Sequence, residues 1–470
     1  MKYEPRPHQE ADLIFAAGRK RSANLSEPGT GKTPTACFLT QWHVQSLNHK
    51  VVWVQPNSLR RKNRNEILKF TDLRPEDVEI LDKASETLGK RKRLLEPRAD
   101  PETGFVDYIA TSEAKVFVVG YKFFSRYWER LIECHPELQL LIGDEPHLPG
   151  GWATHDSQST RAMFGFLRHA EYFYPMTGSL IKGKLSNAYP IIAAIEPNYY
   201  GSFRGFLANH AGYIDDYGRV LYWINEEKVT EILKRHSVIH TFEEVYGRQA
   251  RIYETELVEM EPKMAQAYKE FEENAVLELE KTFLDGSSPG VAAIRARQIL
   301  AHPETFGLCD GEESGKDQRL AIHAADHLED GGLLVFASLI PEVERCAKIC
   351  EAAGLRVGII HGGVPTERRS DIDEAYQGGQ LDAICATTDT AGVGYNWQRT
   401  KTIVIPSLNY GDDALEQAIR RGERELREHP LRIIQMQYEN SIDQHIEKIV
   451  KKKAELTETV MSPLRKQAAS

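Results

Sequence analysis

The sequence has few cysteines and no long apolar run. Six cysteines are scattered over 470 residues. Only Cys346 and Cys350 lie one helical turn apart, so neither a disulfide framework nor a paired zinc site is predicted. No apolar stretch reaches the length of a membrane span, and the first residues lack the apolar region of a secretion signal. We therefore expect reduced cysteines, no membrane partner and a cytoplasmic protein.

Basic residues are also in deficit. Lys and Arg number 59 against 69 Asp and Glu, which gives a net charge of −10 and excludes a surface coated in positive charge. Nucleic acid stays a candidate partner, because binding depends on a local basic stripe and not on the total. A solvated helix face explains any single basic run more simply. The runs are Arg60–Arg64, Lys90–Arg93, Arg368–Arg369 and Lys451–Lys453.

Apolar runs alternate with helical patterns in both halves of the chain. This alternation predicts α/β domains, each with a mainly parallel sheet and helices on both faces. In the first half the predicted strands are 23–26, 51–54, 115–119, 138–142 and 172–176, with helices at 59–70 and 123–134. In the second half the predicted strands are 333–336, 357–360, 381–386, 403–405 and 433–438, with helices at 341–353, 365–377 and 412–421.

The alternation breaks between the two halves. A charged helix at about 262–284 is predicted there, and its Met264, Tyr268, Phe271 and Ala275 recur at helical spacing, so that face belongs to a core. The predicted division is a first lobe at 1–180, an insertion and mainly helical region at 181–315, and a second lobe with a closing helix at 316–470.

A glycine-rich loop, Ser26–Thr33, precedes the first long helix. Its backbone N–H groups converge beside the positive end of that helix, which is the geometry that binds a di- or triphosphate. Gly29 and Gly31 let the backbone approach the phosphates closely. Lys32 can reach the β- and γ-phosphates, and the Thr33 hydroxyl can bind Mg²⁺. The alternative is an ordinary helix-capping loop.

A second candidate element follows the apolar run 138–143. Asp144 and Glu145 come at the carboxyl end of a predicted buried strand, where α/β sheets bind ligands. Asp144 would hold Mg²⁺ and Glu145 would polarise the attacking water. A solvated acidic turn is the alternative, and the upstream phosphate loop argues against it.

The second half carries no phosphate loop but has an arginine-rich helical segment. Arg421 and Arg424 are three residues apart, so they share a helix face. A guanidinium supplied across a cleft stabilises the charge on a transferring phosphoryl group. Composition alone favours an exposed, salt-bridged helix, because Glu416, Glu423 and Glu425 are close by.

The order of these motifs resembles the superfamily-two helicases, and within them the Swi/Snf-type DNA translocases. Residues 6–9, 26–33, 54–59, 119–121, 144–147 and 177–179 resemble the family's motifs in the first half. Residues 296–303, 334–338, 361–368, 387–397 and 417–424 follow in the expected order. The resemblance implies two RecA-like domains in tandem and a stripped-down motor of phage or bacterial type. It also reverses the composition-based interpretation of the arginine helix. The sequence departs from the family at Leu148–Gly150, which lack the usual polar residues, and at Pro146, Leu180 and the segment from Glu425 onward.

The resemblance also implies a set of site residues, with Gln9 as the reader of the adenine base and with ATP and Mg²⁺ as cofactors. The predicted nucleotide contacts are Gln9, Glu27, Gly29, Thr30, Gly31, Lys32, Thr33, Gly394 and Gln417. The predicted catalytic residues are Lys32, Asp144, Glu145, Arg421 and Arg424. The predicted metal ligands are Thr33 and Asp144.

The sequence therefore predicts an ATP- and Mg²⁺-dependent motor that moves along DNA, duplex by preference, as a monomer by default. Single-stranded or branched DNA is also open as a partner. Three alternatives stay open: a strand-separating or branch-migrating helicase, an RNA-dependent motor, and a non-catalytic nucleic-acid clamp that retains a motor fold.

Overall fold

In a computed structural model, the chain falls into two compact units. The described residues of the first unit fall in Met1–Ala211 and Trp223–Val245, and those of the second in Gly212–Tyr222 and Tyr246–Leu456. The structure describes residues 3–89, 92, 96–148, 150–178, 180–181, 184–216, 219–247, 251–269, 291–301, 303–308, 313–391, 395, 397, 399–407, 415, 418–419, 422 and 430–447.

The first unit is built on a seven-stranded parallel sheet with the order β11-β1-β8-β7-β2-β6-β3. Its central strands are continuous apolar runs, which suits strands covered on both faces. The short strands β4 and β5 form a separate antiparallel pair. Strands β9 and β10 form another such pair, and most of it falls in Gly212–Tyr222, which belongs to the second unit. In chain order the strands as far as β11 are β1 (Ala23–Asn24), β2 (Lys50–Gln55), β3 (Val78–Leu81), β4 (Ser85–Thr87), β5 (Phe105–Asp107), β6 (Val116–Gly120), β7 (Leu138–Asp144), β8 (Tyr172–Met176), β9 (Ala211–Ile214), β10 (Val220–Trp223) and β11 (Ser237–Val238).

Helices cover both faces of this sheet, and each face has its own buried apolar cluster. Trp53 on β2 is fully buried, and its indole N–H donates to the Thr40 hydroxyl at 2.9 Å, so this polar group keeps a partner in the core. The helices are α1 (Pro7–Ala17), α2 (Lys32–Ser46), α3 (Arg60–Phe70), α4 (Tyr121–Cys134), α5 (Gln158–Phe166), α6 (Tyr189–Ile195), α7 (Phe203–His210), α8 (Glu226–His236) and α9 (Phe242–Tyr246).

The second unit has a six-stranded parallel sheet with the order β12-β17-β16-β13-β15-β14. Strand β12 comes from the segment assigned to the insertion, and it pairs along its whole length with β17. Buried apolar clusters again lie on both faces. The strands are β12 (Arg251–Val258), β13 (Leu333–Ala337), β14 (Val357–Ile360), β15 (Ala383–Thr387), β16 (Thr402–Ile405) and β17 (Leu431–Tyr438), and the helices are α10 (Val291–Ala301), α11 (Gly315–Ala325), α12 (Ile340–Ala352), α13 (Thr366–Gln377) and α14 (Thr388–Ala391).

The predicted fold class is confirmed: the chain has two parallel α/β sheets in tandem, as in RecA-like domains. The charged helix begins at residue 262 as expected, and Met264 and Tyr268 are buried in the core of the second unit. Phe271 and Ala275 lie outside the described residues. The exact division at residues 180 and 315 stays a prediction.

A buried ion pair connects separate segments of the second unit. The Lys316 ammonium, at the start of α11, donates to the Asp443 carboxylate at 2.7 Å and to the Pro406 carbonyl at 2.6 Å. Both charged side chains are almost fully buried. Asp443 also accepts the Tyr438 backbone N–H. The pair therefore joins three separate segments at a point where an unpaired charge is costly.

We expect Asp443→Ala to destabilise the second unit, because the Lys316 charge stays buried without its partner. The cost is about 3–5 kcal/mol for a broken buried pair. Denaturant unfolding of the full chain measures it. The matched control is Asp330→Ala, which removes an exposed carboxylate that pairs with Lys401 and should leave the transition near that of the wild type. Equal midpoints for the two variants would contradict this role.

Candidate functional site

The phosphate loop takes the conformation that its glycines predict. Gly29 and Gly31 have φ of +88° and +95°, a region in which side-chain-bearing residues are strained. Gly31 is followed directly by Lys32, the first residue of α2. The Lys32 ammonium donates to the carbonyls of Ser26 and Glu27 at 2.8 and 3.1 Å. The loop thus places a lysine charge and a helix N-terminus at one point.

Helix α1 holds this loop from one side. The Gln9 amide donates to the Gly31 carbonyl at 3.3 Å, while its oxygen accepts the Arg6 N–H at 2.9 Å. His8 Nε2 contacts the Thr30 carbonyl at 2.8 Å. A Cβ on Gly31 would lie 2.4 Å from the Gln9 amide nitrogen. Both this close contact and the positive φ therefore favour glycine at position 31. Burial lowers the pKa of His8, which favours a neutral ring.

The segment after β11 holds the loop from another side. The buried Glu27 carboxylate accepts the Phe242 N–H at 2.9 Å, and the Phe242 ring lies so close to Gly29 that a Cβ there would meet it at 3.1 Å. The Ser26 hydroxyl accepts the His240 N–H at 3.0 Å. The structure therefore gives Glu27 a contact that positions the loop, in addition to its predicted place beside the nucleotide.

Asp144 ends β7 with its carboxylate buried. The Asn63 amide donates to Asp144 Oδ2 and to Gln55 Oε1, both at 2.8 Å. Burial raises the pKa of Asp144 to about 6, with a further contribution from the charge of Glu145. The hydrogen bond from Asn63 and the charges of Lys62 and Lys32 oppose that increase. Lys32 is thus close enough for its charge to act on Asp144.

The backbone of Glu145 lies in the left-handed region, with φ of +50°, although Glu145 bears a side chain that makes this region unfavourable. Such a conformation costs about 1–3 kcal/mol and is typical of active-site turns. The Glu145 N–H donates to the Met176 carbonyl at 2.9 Å, which ties the turn to β8. Its carboxylate Oε2 is buried and lies 3.2 Å from His147 Nδ1.

Thr177 connects the acidic turn to the phosphate loop. His147 Nδ1 lies 2.6 Å from the Thr177 hydroxyl. The Thr177 N–H donates to the Asn24 carbonyl at 3.0 Å, at the end of β1. The next residue, Gly178, lies so close to Pro28 that a Cβ would meet it at 2.8 Å. The predicted coupling motif therefore contacts both halves of the site, although Ser179 lies outside the described residues.

These residues fit a magnesium–triphosphate group. The left-handed glycines form a cradle that a Cβ would fill, and Thr33 and Asp144 offer one hydroxyl and one carboxylate, the oxygen ligands that Mg²⁺ prefers beside substrate phosphates. Among the described residues no group of three or more His, Cys, Asp or Glu side chains could hold a metal ion by itself.

Four predicted site residues fall outside the part of the chain that the structure describes. They are Gly394, Gln417, Arg421 and Arg424.

Sequence reasoning missed several residues that shape the site. Asn63, which holds Asp144, comes from a run interpreted as a basic helix face. Asp12 contacts His240 at 2.7 Å, and this hydrogen bond raises the pKa of His240. Phe242 lies 215 residues from its partner Glu27. No local pattern marks such distant pairs.

Known proteins share parts of this chain. The model of the helicase conserved C-terminal domain matches residues 317–425. The ATP-dependent RNA helicase RhlB of Xanthomonas oryzae pv. oryzae is 29% identical over 134 residues, which are 28% of this chain and 22% of RhlB. The chromodomain-helicase-DNA-binding protein 3 homolog of Caenorhabditis elegans is 25% identical over 138 residues, 28% of this chain and 8% of that protein. The chain thus spans about a fifth or less of these relatives' lengths.

Two solved structures cover nearly the whole chain. The Pyrococcus furiosus Hef helicase domain aligns with a TM-score of 0.53 and 14% identity, over 95% of this chain and 98% of that one. The Sulfolobus solfataricus SWI2/SNF2 ATPase core in complex with dsDNA aligns with a TM-score of 0.41 and 16% identity, over 98% and 94%. The Hef alignment shows a shared fold.

The two parallel sheets and the Hef alignment show a fold of two RecA-like domains in tandem. Residues 317–425 match the helicase conserved C-terminal domain, and the order of the motifs resembles that of the Swi/Snf-type superfamily-two helicases. Among the described residues no helix combines the length and the apolar character needed to cross a membrane.

We expect Gln9→Ala to weaken ATP binding, because the Gly31 carbonyl and the Arg6 N–H both lose a partner and the loop loosens. Each lost hydrogen bond costs about 0.5–1.5 kcal/mol, so the ATP dissociation constant should rise by about tenfold. Titration with a fluorescent ATP analogue measures it. The control is Glu10→Ala, one position along the same helix; an unchanged constant for Gln9→Ala would rule out this role.

Proposed function

We propose that the chain is an ATP- and Mg²⁺-dependent motor that moves along the backbone of DNA, preferably duplex DNA. The observation that supports it most is the single contact network of the first unit. It runs from Lys32 and the phosphate loop through Thr177 and His147 to Glu145. A loop that binds triphosphate and a base that activates water are thereby linked by direct contacts.

In this proposal each residue has a separate task. Lys32 exchanges the carbonyls of Ser26 and Glu27 for phosphate oxygens when ATP binds. Glu145 orients the attacking water, with its carboxylate held beside His147. Thr33 and Asp144 hold Mg²⁺, which neutralises charge on the phosphates.

The second unit would complete catalysis. Arg421 and Arg424 supply guanidinium groups to the transferring phosphoryl group, with Gln417 and Gly394 as further nucleotide contacts. All four positions fall within residues 317–425, the range of the helicase C-terminal match, which supports this assignment. Closure that depends on bound nucleic acid would make the basal ATPase slow and the stimulated one fast.

The order of motifs and the similar proteins bear on which nucleic acid the motor binds. The Swi/Snf-like order of motifs favours duplex DNA, as does the partial likeness to a helicase-DNA-binding protein. The likeness to RhlB favours RNA. We take the protein to act in the cytoplasm and as a monomer, as the sequence analysis expects.

ATP turnover with duplex DNA, single-stranded DNA, branched DNA and duplex RNA at fixed salt tests the substrate. Stimulation mainly by duplex DNA supports the proposal. Stimulation by RNA alone supports the RNA-dependent motor. Release of a labelled strand from a duplex would instead indicate a strand-separating helicase. Because backbone contacts carry no sequence information, DNA duplexes of different sequence should stimulate equally.

We expect Lys32→Ala to lose ATP turnover by at least about a hundredfold, as for removal of a preorganised charge from a phosphoryl-transfer site. Binding of labelled DNA should persist in this variant, because Lys32 acts at the nucleotide site and does not contact DNA in this proposal. Parallel turnover and DNA-binding assays measure both. The control is Lys20→Ala, an exposed lysine paired with Glu171. If Lys32→Ala keeps most of its turnover, or if the wild type has none, the proposal fails.

A further inference from the structure

Four residues form a closed ring of hydrogen bonds at the base of the phosphate loop. Asp12 Oδ1 lies 2.7 Å from His240 Nε2, and the His240 backbone N–H donates to the Ser26 hydroxyl at 3.0 Å. The Ser26 backbone N–H donates to Asn24 Oδ1 at 3.1 Å, and the Asn24 amide donates to Asp12 Oδ2 at 3.4 Å. The ring therefore joins α1, the end of β1 with its loop, and the segment after β11.

The ring also determines where the lysine of the phosphate loop lies. The Ser26 carbonyl accepts the Lys32 ammonium at 2.8 Å. The Glu27 N–H donates to the His240 carbonyl at 2.9 Å, so His240 holds the loop through both of its backbone groups. A shift of His240 would therefore displace the two residues whose carbonyls Lys32 contacts.

One link of the ring joins two groups of opposite charge that are largely withdrawn from water. Asp12 is 3% exposed, and the His240 side chain is 21% exposed. The hydrogen bond from Asp12 raises the pKa of His240, and desolvation opposes that increase. A hydrogen bond between an imidazolium and a carboxylate is about twice as strong as a neutral one. The charge on His240 thus strengthens the link that connects α1 with the segment after β11.

Other titratable groups face His240 from the elements packed around it. On α1 the His8 ring lies 5.3 Å from the His240 ring, edge to face, and burial lowers the pKa of His8. On α9 the charge of Glu244 contributes to the raised pKa of His240. In the loop the buried Glu27 carboxylate accepts a backbone N–H of α9, and on β8 burial raises the pKa of Tyr174. A neutral His8 and a neutral Tyr174 leave the carboxylates to favour the charged form of His240.

We propose that Asp12 and His240 are positioning residues for nucleotide binding: the imidazolium form of His240 closes the ring, and the neutral form leaves the phosphate loop more loosely held. ATP binding should therefore weaken as the pH rises above about 6.5, because His240 loses its proton in that range. The inference rests on the proposed function for the identity of the ligand, since it takes ATP as the molecule that the loop binds.

The pH dependence of ATP binding tests the charged link. In the wild type the dissociation constant of a fluorescent ATP analogue with Mg²⁺ should rise about fivefold between about pH 6.5 and pH 9, as a charge-assisted hydrogen bond becomes a neutral one. Asp12→Asn keeps an acceptor oxygen for His240 and removes the charge. Its constant should already be raised at the lower pH and should change little with pH. Titration of the analogue itself affects both proteins equally, so the difference between them isolates the pair.

His240→Gln should reproduce the flat pH profile, because it keeps the backbone contacts of residue 240 and removes the titrating ring. The matched control is His236→Gln, which removes the histidine of another pair, with Glu196 at 2.7 Å. This control should keep the wild-type profile. A wild type whose affinity does not fall with pH, or an Asp12→Asn profile equal to that of the wild type, would overturn the role of the pair.

Thermal unfolding supplies a measurement that does not depend on ATP. A histidine whose pKa is raised by folding stabilises the protein below its unfolded value of about 6.5, and this contribution is lost as the pH rises through the raised value. The midpoint of Asp12→Asn should therefore lie below that of the wild type at pH 6, and the difference should shrink at pH 9. An equal difference at both pH values counts against the charged link. A wild type that binds no ATP analogue, but whose midpoints behave as expected, would instead overturn the proposed function.

Discussion

The candidate site depends on the left-handed backbone at Gly29 and Gly31. This conformation turns the loop so that Lys32 begins α2 with its charge beside the helix N-terminus. A side chain at position 31 would collide with Gln9, and one at position 29 would crowd Phe242. Two segments that are distant in sequence, α1 and α9, therefore pack against the same loop, and the strain-free choice at both positions is glycine.

Asp144 and Glu145 show how the fold accommodates carboxylates that are shielded from water. Asp144 is buried, and burial raises its pKa to about 6. The Asn63 amide and the charge of Lys32 compensate in part. Glu145 is held in a strained turn by the Met176 carbonyl. Thr177 contacts both His147 and the end of β1, so it joins the acidic turn to the strand that precedes the phosphate loop.

Much of the fold could be predicted from sequence because parallel strands buried on both faces are continuous apolar runs. Strands β8 and β14 match the predicted bounds, and the other predicted strands differ by at most two residues at either end. The strands that were not predicted are β3, β4, β5, β9, β10, β11 and β12. Strand β12 lacks a continuous apolar run because most of its residues are exposed or half-buried, and its partner β17 lies about 180 residues away. The phosphate loop and acidic pair were visible as local motifs. The contacts of Glu27 with Phe242 and of Asn63 with Asp144 depend on tertiary packing, which no local pattern records.

The central claim is that this loop conformation forms a triphosphate site. Calorimetric titration of ATP with Mg²⁺ into the wild type and into Gly31→Ala tests it most directly, with circular dichroism to confirm that both proteins are folded. The account predicts saturable one-site binding by the wild type and at least about tenfold weaker binding by the variant, since a side chain is strained at this φ and displaces Gln9. Equal affinity in the two folded proteins would contradict it.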